Sequence, residues 1–483
     1  TYTGMEWWMT GAYTVEPLHP PLARAAAASL LYLSGIRPLE AAQAIKDGHT
    51  SPEEMAAAFH TVGWVKAYNL FYDGGDVIHR LVLARLPMLP FYVLSLLVVF
   101  CWSRRLFGDA AGLFSLTLYA TLPTVTAHAG LATTDTPYAA LCVATLYVFS
   151  RWLETPGRKW TLLLALSGAL TLGTKFSVLM HLPAAMLVMT VWHIKHTPAA
   201  PWRPYVRTIP VMLAVAAFAI AAVYRFDPVT PIIEGIKQVM DKNAAGHANV
   251  FLGEIHPQGS FWYFPVVWFF KTPLAFMVLL PLTFIAVRRQ KNPAAWQPLL
   301  AAGAILGISM TSQINIGVRH VLPMDALLCI ASGTGLLWLA RYRKPAGAML
   351  CAGLLGWQAY DYAASYPDRI SYFNPLAGDT PSWIASDSNF DWGQNNLKFL
   401  MALRNHHVDT VALCMPFVIL DIYVLLRQEF TLETCPDRPR PGWIAVTNDI
   451  VMLKKDGRPL DWLKGHEPVE NIGRTAKLYY ISP

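Results

Sequence analysis

A few ionisable residues lie in or beside strongly apolar runs, where charge is costly and therefore informative. Lys271 falls ten residues into a run that begins at Phe261, Lys175 interrupts another at Gly173-Thr174-Lys175, Arg319 and His320 open a third, and Asp135 starts a fourth after Thr133-Thr134. At about 1.5 Å per residue, Lys271 would sit about 15 Å along its helix, and an ionised group at that depth needs a partner or a wet cavity. Three cations converging at one membrane level from separate helices suit an anionic headgroup. Taken singly, each has a plainer reading: Lys271 snorkels, Arg319 anchors in lipid headgroups, and Asp135 caps its helix. The carboxylates Asp135, Asp227 and Glu254 could hold a divalent metal, although no ligand spacing demands one.

The elements that carry these residues belong in a bilayer. Hydrophobic residues make up 54% of the 483 and charged residues 14%, with mean hydropathy +0.35, against roughly 25% charged residues in soluble domains. Five cationic clusters punctuate the apolar runs: Arg104–Arg105, Arg151–Lys159, Lys195–Arg207, Arg288–Lys291 and Arg341–Lys344. Cationic loops stay on the cytoplasmic side during insertion, so the net charge of +7 is used in topology and does not point to nucleic acid. A spanning helix needs about 17 to 25 apolar residues. Crossings are expected near 84–103, 109–127, 137–153, 160–174, 177–194, 206–225, 261–287, 296–313, 321–340 and 345–361. The stretch 160–194 has cationic flanks at both ends, so two short helices meeting at Gly173-Thr174-Lys175 fit better than one. Short inner loops then carry fourteen Lys/Arg against four outside (Lys175, Lys237, Lys242, Arg319).

The expected fold class is a polytopic α-helical membrane protein with a small outer α/β domain at its C-terminus. Residues 1–83 form a first outer loop, 84–361 the membrane domain with an outer loop at 226–260, and 362–483 the outer domain. Leu22–Leu33 is too short to span, follows Pro20-Pro21, and reads as an interfacial helix. Ile232, Ile233, Ile236 and Val239 mark a helix in the second outer loop. In the tail, Asp391 is expected to cap a helix bearing Leu397, Leu400, Met401 and Leu403, and strands are expected at Thr410–Cys414, Trp443–Thr447 and Ala476–Ile481. Cys101, Cys142, Cys329 and Cys351 read as packing residues, whereas Cys414 and Cys435 are disulfide candidates if their side is oxidising. Thr1 is not an initiator Met, and a further crossing is expected upstream of it.

Several blocks resemble a known family. Glu16-Pro17-Leu18-His19-Pro20-Pro21-Leu22-Ala23-Arg24 resembles the first outer-loop signature of polyprenyl-phosphate-sugar-dependent glycosyltransferases of the GT-C type. These comprise family 39 and its bacterial relatives, the protein mannosyltransferases and lipid A aminoarabinose transferases. Ala132–Pro137, Gly173–Ser177, Phe264-Pro265 with Phe270–Pro273, Asn315–Pro323 and Asp387–Gln394 look like further blocks in the same order.

The resemblance implies a GT-C-like fold in a bacterial inner membrane and inverting transfer of a sugar from undecaprenyl phosphate to a protein, lipid or glycan acceptor on the periplasmic face. Lys175, Lys271, Arg319 and His320 would hold the donor phosphate, with His19 beside it and Asp135 orienting donor or acceptor. It also implies a catalytic Asp, usually in an Asp-Glu pair, before the stretch that looks like Gly4-Met5-Glu6-Trp7-Trp8. That pair would fall upstream of Thr1, with Glu6 and Asp135 the nearest substitutes. The competing class is a transporter or flippase of a lipid-linked or anionic solute, since intramembrane cations also mark substrate paths. The lack of an internal repeat and the large outer segments stand against it.

Overall fold

The computed structural model describes residues 1–13, 15–38, 70–71, 76–197, 202–414, 426, 429–449, 460–463 and 465–483. Near the start, α1 (Tyr2–Thr10) packs on α2 (Pro21–Leu33), with Gly4 set directly against the Arg24 carbonyl, where a side chain would collide. Pro21 opens α2 at a position that needs no amide hydrogen bond. The alanine face of α2 is buried on α1, so this helix is a packed element of the fold.

The bundle follows in order: α3 (Val77–Arg85) running through a 3-10 turn into α4 (Leu89–Phe107), α5 (Asp109–Ala120), α6 (Pro123–Ala129), α7 (Asp135–Glu154), α8 (Arg158–Leu172), α9 (Val178–His196) and α10 (Arg203–Val223). Helix α11 (Val229–Ala245) and a hairpin of β1 (Asn249–Phe251) and β2 (Glu254–His256) lead into α12 (Tyr263–Lys271), α13 (Leu274–Arg288), α14 (Gln297–Ser309), α15 (Leu322–Arg341) and α16 (Ala346–Ala364). Helix α15 is the hub, packing on α5, α13 and α14. Its Gly333 admits the backbone of α5 at Ala111 and Ser115. By contrast α10 turns Val206, Leu213 and Phe218 outward, as a lipid-facing helix does.

The chain is a multi-pass membrane protein, with differences from the expected crossings. Among the described residues four helices, Val77–Phe107, Val178–His196, Arg203–Val223 and Val318–Arg341, are long and apolar enough to cross, or six if each bent pair is one span. The others of the expected ten fall short in length or apolarity: α8 and α14 have 15 and 13 residues, and α7 carries Asp135, Arg151 and Glu154. The 261–287 run is not one helix. It bends by 112° after Lys271, because Pro273 lacks an amide donor and holds Thr272 extended (φ −104°, ψ 135°). Pro123 accompanies a 68° bend between α5 and α6.

In the C-terminal domain, α17 (Asn396–Asn405) packs against a five-stranded sheet of β3 (Thr410–Cys414), β4 (Thr431–Thr434), β5 (Gly442–Thr447), β6 (Glu470–Ile472) and β7 (Ala476–Ile481). The order is β4-β3-β5-β7-β6, with β3 parallel to both neighbours and β7 antiparallel to both of its own. Asp391 does not cap α17; its carboxylate takes the Gly393 amide at 3.0 Å, and Asn395 precedes the helix. Phe399, Leu400, Ala402 and Leu403 form its buried face, while Met401 is exposed. Cys414 and Cys435 are joined by a disulfide, Cα atoms 4.6 Å apart.

Candidate functional site

Asp135 begins α7 with its carboxylate fully buried. Lys175 Nζ donates to Oδ1 at 2.7 Å, and Arg319 Nη1 reaches Oδ2 at 3.5 Å. Lys175 is supplied by the break between α8 and α9, which is tied to the head of α2 by the Leu22 amide donating to the Gly173 carbonyl (2.9 Å). Arg319 comes from the 3-10 turn Val318–Val321 that leads into α15. Its Nε donates to Ser388 Oγ (3.0 Å), and its guanidinium lies 4.3 Å over the Trp392 ring. Asn389 completes the frame, its Oδ1 accepting from the Val318 amide at 2.9 Å. One buried carboxylate thus fixes two cations from separate helix ends.

Histidines surround this cluster. On α6, His128 Nδ1 donates to the Thr124 carbonyl at 2.8 Å, so Nε2 of the neutral ring is left as an acceptor. Among the described residues neither that atom nor the buried Nε2 of His320 has a hydrogen-bond partner. The His128 ring lies 6.1 Å from Trp392. His19, half-buried ahead of α2, has its pKa lowered by burial and by the Arg24, Lys175 and Arg319 charges, with Asp135 opposing. Behind Lys175, whose Nζ lies 5.8 Å from the Tyr138 ring centre, Tyr138 Oη bonds His181 Nδ1 (2.6 Å) and His181 Nε2 meets Ser309 Oγ (3.0 Å). These contacts hold the wall of the cluster through polar groups.

Other residues singled out in the sequence lie elsewhere. Lys271 ends α12 and donates to the carbonyls of Ile370 and, at 2.7 Å, Asn389, with the Phe373 ring centre 4.5 Å away. It ties together the segments around Ile370 and Asn389, and its ammonium is engaged by backbone. Glu6 is buried on α1 and accepts from the Val15 amide at 3.3 Å. Asp227 and Glu254 are exposed, and among the described residues no group of three or more His, Cys, Asp and Glu is placed to hold a metal ion. Sequence reasoning gave no role to His128, Ser388 or Trp392. The last two lie inside the Asp387–Gln394 block, and His128 was legible as a lone imidazole at the end of an apolar run.

Electrostatically, two cations against one carboxylate leave one positive charge. The hydrogen bonds described use one of the three Lys175 protons and leave Arg319 Nη2 open. The arrangement can receive a compact oxyanion such as a phosphate, for which an Arg and a Lys at fixed spacing are the usual partners.

Residues 78–223 match the family model for dolichyl-phosphate-mannose-protein mannosyltransferase. The fold resembles ArnT from Cupriavidus metallidurans in the apo state, at 13% identity over 99% of this chain and 92% of that one, with a TM-score of 0.51. ArnT of the same organism bound to undecaprenyl phosphate aligns over 86% of both chains at 15% identity and a TM-score of 0.45. No curated protein matches the chain.

Proposed function

With a GT-C-type, ArnT-like fold as the premise, we propose that the chain transfers a sugar from a polyprenyl-phosphate carrier to an acceptor at the outer membrane face. The observation that carries this reading is the buried Asp135 carboxylate held between Lys175 and Arg319 where α7, the α8–α9 break and the turn before α15 meet. The match to a family whose donor is a polyprenyl-phosphate mannose supports the donor class.

Lys175 and Arg319 bind the donor phosphate, with His320 and His19 beside it. When the C1–O bond to phosphate breaks, the leaving oxyanion gains charge, and fixed cations stabilise that charge without a proton donor. The acceptor oxygen bonds to C1 from the opposite face, inverting the anomeric centre, and its proton leaves to a base. Asp135 serves as the orienter of the two cations, since a carboxylate paired with both gains little by taking a proton. Lys271 is assigned to holding the outer segments, because its contacts are carbonyls.

The test is transfer of radiolabelled sugar from a polyprenyl-phosphate donor by the detergent-purified full chain. Turnover by the wild type, with donor affinity reduced about ten- to a hundredfold in Lys175→Met, is expected for loss of one charge-assisted contact. Movement of an intact lipid-linked sugar across liposomes without its cleavage would replace the transferase reading by a flippase.

A further inference from the structure

A second feature lies on the far side of the segment that contacts Arg319. A cleft of about 390 Å³ opens between the C-terminal sheet and the chain that follows α16. Its buried residues are Ser371, Phe373 and Phe390, and the sheet side contributes Asn448, Arg474 and Lys477. Asp379 is the one acid among the described residues of its wall, where two cations meet one carboxylate. Among the described residues Lys477 pairs with no carboxylate.

The junction that makes this cleft is closely specified. Asp368 Oδ2 accepts from the Arg474 amide (2.6 Å) and from Asn395 Nδ2 (2.8 Å), and Asn448 Nδ2 donates to the Arg474 carbonyl (2.7 Å). Gly473 sits in the left-handed region at φ +57°, and a side-chain carbon there would come within 2.5 Å of Asp368 Oδ2 and of Asn395 Nδ2. Glycine alone lets the β6–β7 turn seat, and the seating places Arg474 and Lys477 beside Phe373 and Phe390. The cleft also shares a wall with the Asp135 cluster: Ser388 and Trp392 touch Arg319, while Phe390 between them lines the cleft.

The lining has the chemistry of a saccharide site. Phe373 and Phe390 give the cleft an apolar wall for the C–H faces of a pyranose, the hydrogen bonds described leave Thr380 Oγ1 and Asn448 Oδ1 to meet its hydroxyls while Ser371 Oγ is engaged by the Phe390 carbonyl and Gln394 Nε2, and the volume lies in the range of small-molecule sites, roughly 300–1,000 Å³. Lys477 supplies the requirement for negative charge, with the Arg474 guanidinium, one nitrogen of which donates to the Ala364 carbonyl (2.9 Å), adding positive potential beside it. We propose that this cleft binds an anionic saccharide, phosphorylated or carboxylated, as the acceptor of the transfer proposed above; the acceptor role rests on that reading, whereas the binding site stands on its own geometry.

Calorimetric titration of the detergent-purified full chain tests it with glucose 1-phosphate as the probe, against glucose and inorganic phosphate. Glucose 1-phosphate should bind at least tenfold more tightly than either, and saturating undecaprenyl phosphate should not displace it. Lys477→Ala, at a half-exposed position that bears no fold contact of its charge, should weaken binding about tenfold, and Lys477→Arg should restore it. Equal binding in wild type and Lys477→Ala, or displacement by undecaprenyl phosphate, would put the probe in the Asp135 cluster and overturn the cleft. Inorganic phosphate binding as well as the sugar phosphate would overturn the saccharide assignment. Binding that depends on Lys477 in a chain that transfers no sugar would keep the site and refute only its acceptor role.

Discussion

Two lysines that look alike in the sequence, each a lone cation in an apolar setting, have opposite partners in the fold. Lys175 pairs with the buried Asp135, whereas Lys271 is spent on the Ile370 and Asn389 carbonyls. Their substitutions should therefore separate. Lys271→Met keeps the stem but strands two buried acceptors, so it should cost on the order of 1–3 kcal/mol in stability while donor affinity stays within twofold. Thermal unfolding and donor titration on the same preparation check this, and a tenfold loss of affinity at unchanged stability would return Lys271 to the phosphate site. Within the cluster, breaking a buried pair costs about 3–5 kcal/mol. Asp135→Asn strands two cations, whereas Lys175→Met leaves Asp135 its second partner, so the Asp135 variant should be the less stable. The double variant should cost less than the two added together, because each single change leaves a charge that the other removes. Strict additivity in unfolding measurements would mean that the contact carries no coupling.

At the level of elements, the disulfide joins the end of β3 to the residue just after the edge strand β4. A bridge closing a loop of this size contributes about 3 kcal/mol, and here it pins a parallel pair whose outer strand is largely exposed. Cys435→Ser should remove amide-exchange protection at Thr431–Thr434 and leave the β5–β7 ladder protected. Uniform loss of protection across the sheet would show that the bridge holds the whole domain. The longer strands β3, β5 and β7 were readable as short apolar runs, but Thr-Leu-Glu-Thr and Glu-Asn-Ile have no such signal and become strands only because the sheet offers them an edge. The break after Lys271 was visible in Lys-Thr-Pro, where a proline restricts its predecessor, yet a window average over an apolar run passes over one residue. The site was partly legible in the same way. Asp135, Lys175 and Arg319 stood out as charges among apolar residues, whereas Ser388, Trp392 and His128 acquire meaning only when segments far apart in the chain are brought together.

Across the whole molecule, contacts gather the five cationic clusters toward one end. Arg105 pairs with Glu154 beside Arg151, the Tyr205 hydroxyl donates to the Leu153 carbonyl, Trp192 near Lys195 donates to the Pro293 carbonyl, and Arg289 lies 5.2 Å from the Trp338 ring centre just before Arg341. Asp135, Lys175 and Arg319 lie at the opposite termini of helices α7, α9 and α15, together with the segment that leads into the C-terminal domain. A cationic end retained in the cytoplasm then places the charged cluster and the sheet outside, the arrangement that positive-inside insertion favours. Labelling with a membrane-impermeant maleimide checks this in a Cys101→Ser background, since Cys142, Cys329 and Cys351 are buried and Cys414 and Cys435 are bridged. Lys398→Cys in the C-terminal domain should react in intact cells, and Gln290→Cys and Thr197→Cys should react only after permeabilisation. The Thr197 position is the sensitive one, because it follows the α8–α9 pair whose break carries Lys175 and is expected on the outer side. If Thr197→Cys reacts from outside while Gln290→Cys does not, that pair does not return the chain to the inner side, and the Lys175–Asp135 contact must be reached by another path through the bilayer.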